Sequence, residues 1–270
     1  MNYKLSEIAA VVGGKFTGCD AEVRSVVTDS RSLSCELGCC PMFVAMRGAN
    51  HDSHGFVAQM SARGVRAFLV ERDVECPADC GFVRVDNAID ALQRLAAHYR
   101  AQFRGTVVGI TGSNGKTVIK EWIAEELPEG MKYYRSPKSY NSQLGVPLSV
   151  LMLEGDEELA IFEAGISKPG EMERLERIIR PDAVIFTSIG DAHQENFINL
   201  EQKCDEKMIL ARSASKIIYH SYYEPLGRMV AAHFADRRPV DAASYPEVPE
   251  SVIGNAASRR NAQIVEAFCD

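Results

Sequence analysis

The chain has 270 residues, 46% of them hydrophobic and 25% charged, and a formal net charge of −7. That balance belongs to a globular protein of one or two domains and excludes a disordered chain. No apolar run approaches the roughly 20 residues that span a bilayer, and an acidic chain offers no broad basic face for nucleic acid. Residues 1–14 have neither a basic start nor a long apolar run, so the expectation is a cytoplasmic protein with no membrane or nucleic-acid partner. Its eight cysteines are then expected as reduced thiols. Cys35, Cys39 and Cys40 facing Cys76 and Cys80 would make a zinc site. Both clusters, however, have three intervening residues where structural zinc sites most often have two, and ordinary thiols are the expectation.

Along the first hundred residues, short apolar runs alternate with turn residues. Strands are predicted at 23–28, 42–45, 67–70 and 82–85, and helices at 56–63 and 88–100. In the second helix Ile89, Leu92, Leu95, Ala96 and Tyr99 recur at helical spacing. A boundary is placed near residue 103, giving a small mixed α/β domain over 1–103 and a second over 104–270. The second reads as strand–loop–helix repeated: a strand at 106–111, then a helix at 116–127 with Val118, Ile119, Trp122 and Ile123 on one face. A strand at 159–163 follows, then a helix marked by Met172, Leu175, Ile178 and Ile179 and stopped by Pro181. A strand at 183–187 and a helix at 200–211 complete the series. Such alternation predicts an α/β fold with a doubly wound, mainly parallel sheet, whose ligands bind beyond the carboxyl ends of the strands. The chemistry is therefore expected just after Thr111, Glu163 and Thr187.

The first of these points carries Gly109-Ile110-Thr111-Gly112-Ser113-Asn114-Gly115-Lys116-Thr117. A strand ends, a glycine-rich loop turns and a helix begins. Backbone N–H groups of Gly112, Ser113, Asn114 and Gly115 would close around phosphate, Lys116 would reach the β- and γ-phosphates, and the Thr117 hydroxyl would ligate magnesium. The plain alternative is a glycine turn that only joins strand to helix. The common phosphate loop has glycine where this chain has Ile110.

Thr-Gly-x-Asn-Gly-Lys-Thr after a valine-rich strand resembles the loop of the Mur ligase family. The resemblance extends to Ser136-Pro-Lys-Ser-Tyr-Asn141 and Gly145-Val-Pro147, to Phe162-Glu163-Ala-Gly165 with Gly170-Glu171, and to Ile189-Gly190-Asp191-Ala192-His193-Gln194-Glu195-Asn196-Phe197. In the first domain Thr28-Asp29-Ser30-Arg31 and 43–48 resemble the family's nucleotide-sugar-binding segments. The wording is most similar to the branch of the family that adds D-alanyl-D-alanine, in the form fused to an alanine racemase. The resemblance is good to about residue 215 and poor beyond it.

The resemblance implies an ATP- and magnesium-dependent ligase of peptidoglycan precursor synthesis. ATP phosphorylates the terminal carboxylate of UDP-N-acetylmuramoyl-tripeptide, and D-alanyl-D-alanine attacks the acyl phosphate. It implies Glu163 and His193 as magnesium ligands and Lys207, fourteen residues after His193, as a lysine that takes up carbon dioxide to become an anionic carbamate. Lys203 shares the same helical ridge, and periodicity alone does not choose between the two. Ser30, Arg31 and Arg47 would hold the UDP moiety, Asn141 the substrate side of the cleft, and Asn261 the adenine. Asp52-Ser53-His54 stands where family members often carry Asp-Gly-His. A complete family member has a third domain that brings the amino component, and nothing in this sequence corresponds to it. The central domain also looks shortened after about 215. The expectation is a monomeric fragment that binds nucleotide and UDP-sugar with little ligation of its own. Two other readings compete: a non-catalytic nucleotide-binding module, and a folylpolyglutamate-synthase-like ligase, against which the hundred residues before Gly105 count.

Overall fold

The computed structural model describes residues 1–32, 40–48, 52–75, 77–190 and 194–270. The chain divides into two compact units, Met1–Gln102 with Val150–Gly155, and Phe103–Ser149 with Asp156–Asp270.

The first unit runs β1 (Tyr3–Lys4), α1 (Leu5–Val12), β2 (Lys15–Gly18), β3 (Glu22–Val23), β4 (Ser25–Val27), β5 (Pro41–Val44), α2 (Val57–Ala62), β6 (Ala67–Val70), β7 (Gly81–Arg84) and α3 (Ala88–Arg100). Its main sheet has the order β2-β7-β6-β5-β4, with only β2 antiparallel to its neighbour. The predicted strand at 23–28 is in fact two: β3 pairs with β1 in a separate two-stranded sheet, while β4 pairs with β5. Helix α1 was not predicted, although Leu5, Ile8, Ala9 and Val12 are buried at helical spacing and Gly13 ends the helix at φ +64°. The predicted helix at 56–63 is preceded by a 3₁₀ turn over Ser53–Phe56. Phe43, Val57, Met60, Phe68 and Val70 form the core under the sheet, with Phe68 stacked on Phe82 at 5.4 Å between ring centres.

The second unit continues with β8 (Thr106–Thr111), α4 (Lys116–Glu126), β9 (Tyr133–Arg135), α5 (Gly145–Val150), β10 (Leu159–Ala164), α6 (Glu171–Ile179), β11 (Ala183–Phe186), α7 (Leu200–Met208), β12 (Lys216–Tyr219), α8 (Leu226–His233), β13 (Val240–Asp241) and α9 (Ala256–Cys269). Its six strands lie in the order β13-β12-β11-β8-β10-β9, and every pair is parallel. Parallel strands covered by helices must be apolar throughout, and β10 and β11 are buried along their whole length. The chain lays β9 and β10 on one side of β8, then β11, β12 and β13 on the other. This reversal opens a crevice at the carboxyl end of β8, where ligands of such sheets bind. Register places Glu163 beside Ile110, and both Ala164 and Phe186 beside Thr111.

Three differences from expectation concern this unit. The helix predicted at 200–211 ends at Met208 and finishes as a 3₁₀ turn, Ile209–Ala211. The stretch at 234–252, expected as a brief connection, supplies β13 at the sheet edge. Helix α4 buries Ile119, Lys120, Ile123 and Ala124, whereas Val118, predicted on the buried face, is 41% exposed. The face is turned by a buried ion pair of Lys120, described below. Among the described residues no helix is long and apolar enough to cross a membrane.

Candidate functional site

The loop between β8 and α4 owes its shape to two glycines and to the chain leaving β11. Gly112 has φ +150°, and a Cβ there would fall 1.8 Å from Thr187 Oγ1. Gly115 caps α4 at φ +86°, with Asn261 Oδ1 3.2 Å from where its Cβ would stand. The loop is then tied down: Thr187 Oγ1 donates to the Asn114 carbonyl (2.6 Å), Ser113 N–H donates to the Ser188 carbonyl (2.7 Å), and Gly190 N–H donates to Ser113 Oγ (3.0 Å). The free N-terminus of α4 leaves N–H groups without helical partners and adds partial positive charge, so the loop is organised for an anion.

A cavity of about 150 Å³ lies over this loop, lined by Gly112, Lys116, Asn141, Gly165, Ser167 and Lys207 among others. Among the described residues its only charged lining side chains are the two lysines. Lys116 Nζ donates to the carbonyls of Gly112 (2.8 Å) and Ser113 (3.1 Å), folded back on its own loop. Burial lowers its ammonium below the ordinary value, partly opposed by the Glu163 carboxylate. Lys207, on α7, is 2% exposed and donates to the same Gly112 carbonyl (3.1 Å). Burial first, then the neighbouring Lys116 and Lys203 ammoniums, push it down to about 7. Lys203 is equally buried but donates to the Gly190 carbonyl (2.6 Å) and does not line the cavity. Geometry thus separates two lysines that periodicity could not.

Glu163 sits near the end of β10, fully buried, and does not line the cavity. Its Oε1 lies 2.9 Å from Lys120 Nζ, and its Oε2 accepts from Asn141 Nδ2 at 3.3 Å. Lys120, itself 0% exposed, also donates to the carbonyls of Ser136 (2.7 Å) and Lys138 (2.6 Å). One lysine therefore fixes the acidic strand end and the segment leading to Asn141. Sequence reasoning passed over Lys120, because a lysine four residues after Lys116 reads as a solvated helix position. Thr117 Oγ1 lies 3.4 Å from Ser139 Oγ at the start of α4. Asn261 reaches the loop at Gly115 from α9 but does not line this cavity. His193 lies outside the described residues.

In the first unit, Arg31 forms a two-pronged pair with Asp29, Nε to Oδ1 at 3.0 Å and Nη2 to Oδ2 at 2.8 Å. The Arg31 side chain and N–H hold the Asp29 carboxyl at about 2. The Ser30 carbonyl accepts from Arg63 Nη1 at 2.5 Å, and the exposed Arg47 donates its backbone N–H to Glu71 at 2.9 Å. No hydrogen bond or ion pair among the described residues joins Ser30, Arg31 and Arg47 to one another. The turn at 52–54 is tightly knit. Ser53 Oγ accepts from Met46 N–H (2.7 Å) and donates to the Met46 carbonyl (3.0 Å), so serine in the usual glycine place locks the turn. Buried His54 accepts from Glu71 N–H at Nε2 (2.8 Å), which leaves its proton on Nδ1, donated to Asp52 at 2.5 Å. Of the cysteines weighed as zinc ligands, Cys35, Cys39 and Cys76 lie outside the described residues. Cys80 is buried 3.3 Å from Ser61 Oγ, and no cluster of potential metal ligands occurs among the described residues.

Comparison with known proteins agrees with this geometry. Residues 110–242, from within β8 to just past β13, match the family described as the Mur ligase middle domain. The chain carries a Mur ligase middle domain. The match extends beyond residue 215, where the motif resemblance weakens. The chain is 33% identical over 208 residues to UDP-N-acetylmuramoyl-tripeptide–D-alanyl-D-alanine ligase of Bacillus subtilis, an alignment covering 76% of this chain and 45% of that protein. The chain spans less than half the length of curated relatives that it matches. A structure of MurF from Acinetobacter baumannii shares the fold across 100% of this chain and 65% of its own, with TM-score 0.83 and 23% identity. MurF ligase from Thermotoga maritima in complex with ADP matches 81% of this chain and 49% of its own, with TM-score 0.68 and 28% identity. The parallel sheet of the Mur ligase domain and the mixed sheet of the first unit are those of this fold.

Proposed function

We propose that this chain is the nucleotide- and UDP-sugar-holding part of an ATP-dependent ligase that joins D-alanyl-D-alanine to UDP-N-acetylmuramoyl-tripeptide in the cytoplasm. The observation that carries the reading is the convergence of Lys116 and Lys207 on the Gly112 carbonyl, in a cavity at the N-terminus of α4. Two lysines, a helix N-terminus and, among the described residues, no carboxylate in the lining fit a polyphosphate. A magnesium ion fits less freely. Thr117 Oγ1 stands at the helix start, but Glu163 Oε1, which accepts no hydrogen bond, lies 2.9 Å from the Lys120 ammonium, and its Oε2 accepts from Asn141. Bound ATP supplies the phosphoryl group that activates a carboxylate for attack by an amine.

The residues of this chain then have distinct tasks. The loop from Gly112 to Thr117 orients the phosphates, and Lys116 leaves its two loop carbonyls to neutralise them. Lys120 holds Glu163 in place through their 2.9 Å contact. Lys207, with a neutral amine abundant near pH 7, is suited to attack carbon dioxide through nitrogen, losing a proton and becoming a carbamate. That change converts a cation beside Lys116 into an anion able to share a metal with Thr117 and Glu163, and His193 belongs to the same set by its motif. Asn141 faces the carboxylate end of the substrate, Asn261 the base, and Ser30, Arg31 and Arg47 the UDP moiety. Arg31 is suited to diphosphate because its guanidinium fork already engages a carboxylate in two-pronged fashion. Calorimetry with magnesium–ATP and with UDP-N-acetylmuramoyl-tripeptide tests the reading. Both are expected to bind. Failure of both at about 1 mM, where a free energy near −4 kcal/mol registers, overturns it.

A further inference from the structure

Helix α7 buries two lysines one turn apart, and the ligase reading employs only Lys207. Lys203 is 1% exposed, and taking an ammonium out of water is costly unless polar groups meet it. Its Nζ donates to the Gly190 carbonyl at 2.6 Å, a charge-assisted bond, and stands 5.8 Å from the centre of the Phe197 ring. Gly190 lies on the exit from β11, against the glycine loop. Its N–H donates to Ser113 Oγ (3.0 Å), and that hydroxyl donates back to the Gly190 carbonyl (3.2 Å), the same oxygen that Lys203 holds. Two further bonds run beside these, from Ser113 N–H to the Ser188 carbonyl (2.7 Å) and from Ser188 Oγ to the Asn114 carbonyl (3.3 Å). Residues 188–190 thus brace Ser113 and Asn114, and Lys203 fastens that brace to α7. One turn on, Lys207 fastens α7 to the loop itself through the Gly112 carbonyl (3.1 Å).

We propose that Lys203 is a positioning residue of the nucleotide site. Through Gly190 and Ser113 it holds the loop at the head of α4 in the shape that receives phosphate. The proposal rests on the nucleotide reading of that loop, and within it the two fastenings of α7 fare differently. When Lys116 moves to phosphate and Lys207 becomes an anion, the Gly112 carbonyl loses both of its ammonium donors. Lys203 does not line the cavity, so its hold on Gly190 outlasts these changes.

The experiment titrates magnesium–ATP into the parent chain, Lys203→Met, Ser113→Ala and the double variant by calorimetry, with a melting curve for each. Lys203→Met is expected to bind about tenfold more weakly than the parent, since a charge-assisted bond that orders the site is lost. Lys203 and Ser113 act through one carbonyl, so their losses are expected not to add. The double variant should bind about as weakly as the weaker of the two single variants. A lowered melting temperature with parent-like affinity in Lys203→Met is what a merely structural lysine gives, and it overturns the proposal. So does parent-like affinity in Ser113→Ala, and so do losses that add in full. If Lys203→Met does not fold, Lys203→Gln, which keeps a neutral donor, takes its place. Weaker binding than the parent is then expected, and equal affinity overturns the proposal. Absence of binding by the parent chain is a different failure, because it removes the nucleotide reading and the proposal with it.

Discussion

Two buried lysines beside the glycine loop at the head of α4 carry opposite expectations. Lys120 is saturated by a carboxylate and two carbonyls, whereas Lys207 has one carbonyl and two neighbouring ammoniums. Lys120→Met leaves Glu163 buried without its cation and is expected to cost about 3–5 kcal/mol in urea unfolding, partly recovered in Lys120→Met/Glu163→Gln. A loss below about 1 kcal/mol contradicts the pairing. For Lys207 the folded-state value of about 7 lies below the ordinary 10.5. Between those values the unfolded chain holds a proton that the folded chain does not, so stability rises with pH across that window; below it both states are protonated and the burial penalty is complete. Lys207→Met should therefore flatten the rise in melting temperature from pH 7 to 10, and parallel profiles would contradict the assignment. Lys207 was readable from sequence only through the family spacing after His193. Lys120 was not readable, because its acceptors are loop carbonyls at 136 and 138 that only the tertiary fold brings near α4.

Among the elements, those with strong periodicity and a clear stop were legible: β8, α3, α6 before Pro181, and β6. The turn from β8 into α4 was legible, because its glycines answer to backbone conformation and both stand at positive φ, with the helix starting at Lys116. What was missed was short or edge-bound. Strands β9 and β13 have three and two residues, too few for a pattern, and are held by pairing with β10 and β12. The two strands within 23–28 could not be separated, since only their partners distinguish them. The loop invites a direct test. Gly112→Ala places a methyl group against Thr187 Oγ1 in a left-handed conformation, and should weaken nucleotide binding by about tenfold or more while lowering the melting temperature. Gly130→Ala, also at positive φ but with open space around it, should cost only about 1–2 kcal/mol of strain and leave nucleotide affinity unchanged. Equal nucleotide binding by Gly112→Ala would show that the loop tolerates the displacement of its brace.

For the whole molecule, alternation of strand and helix was enough to foresee a parallel α/β unit, but not the order of its strands, which depends on which side of β8 each crossover lands. Both units fold around their own cores, and the chain spans under half the length of curated relatives that it matches. The central claim is that the second unit holds a nucleotide through the loop at the head of α4. Lys116 is the one side-chain cation supplied by that loop, and it now rests on two carbonyls that it can exchange for phosphate oxygens. Calorimetric titration of magnesium–ATP into the parent chain and into Lys116→Ala measures this most directly. Saturable binding by the parent and about tenfold or greater weakening in the variant, with circular dichroism unchanged, is the predicted result. Equal affinities in two folded proteins would contradict it.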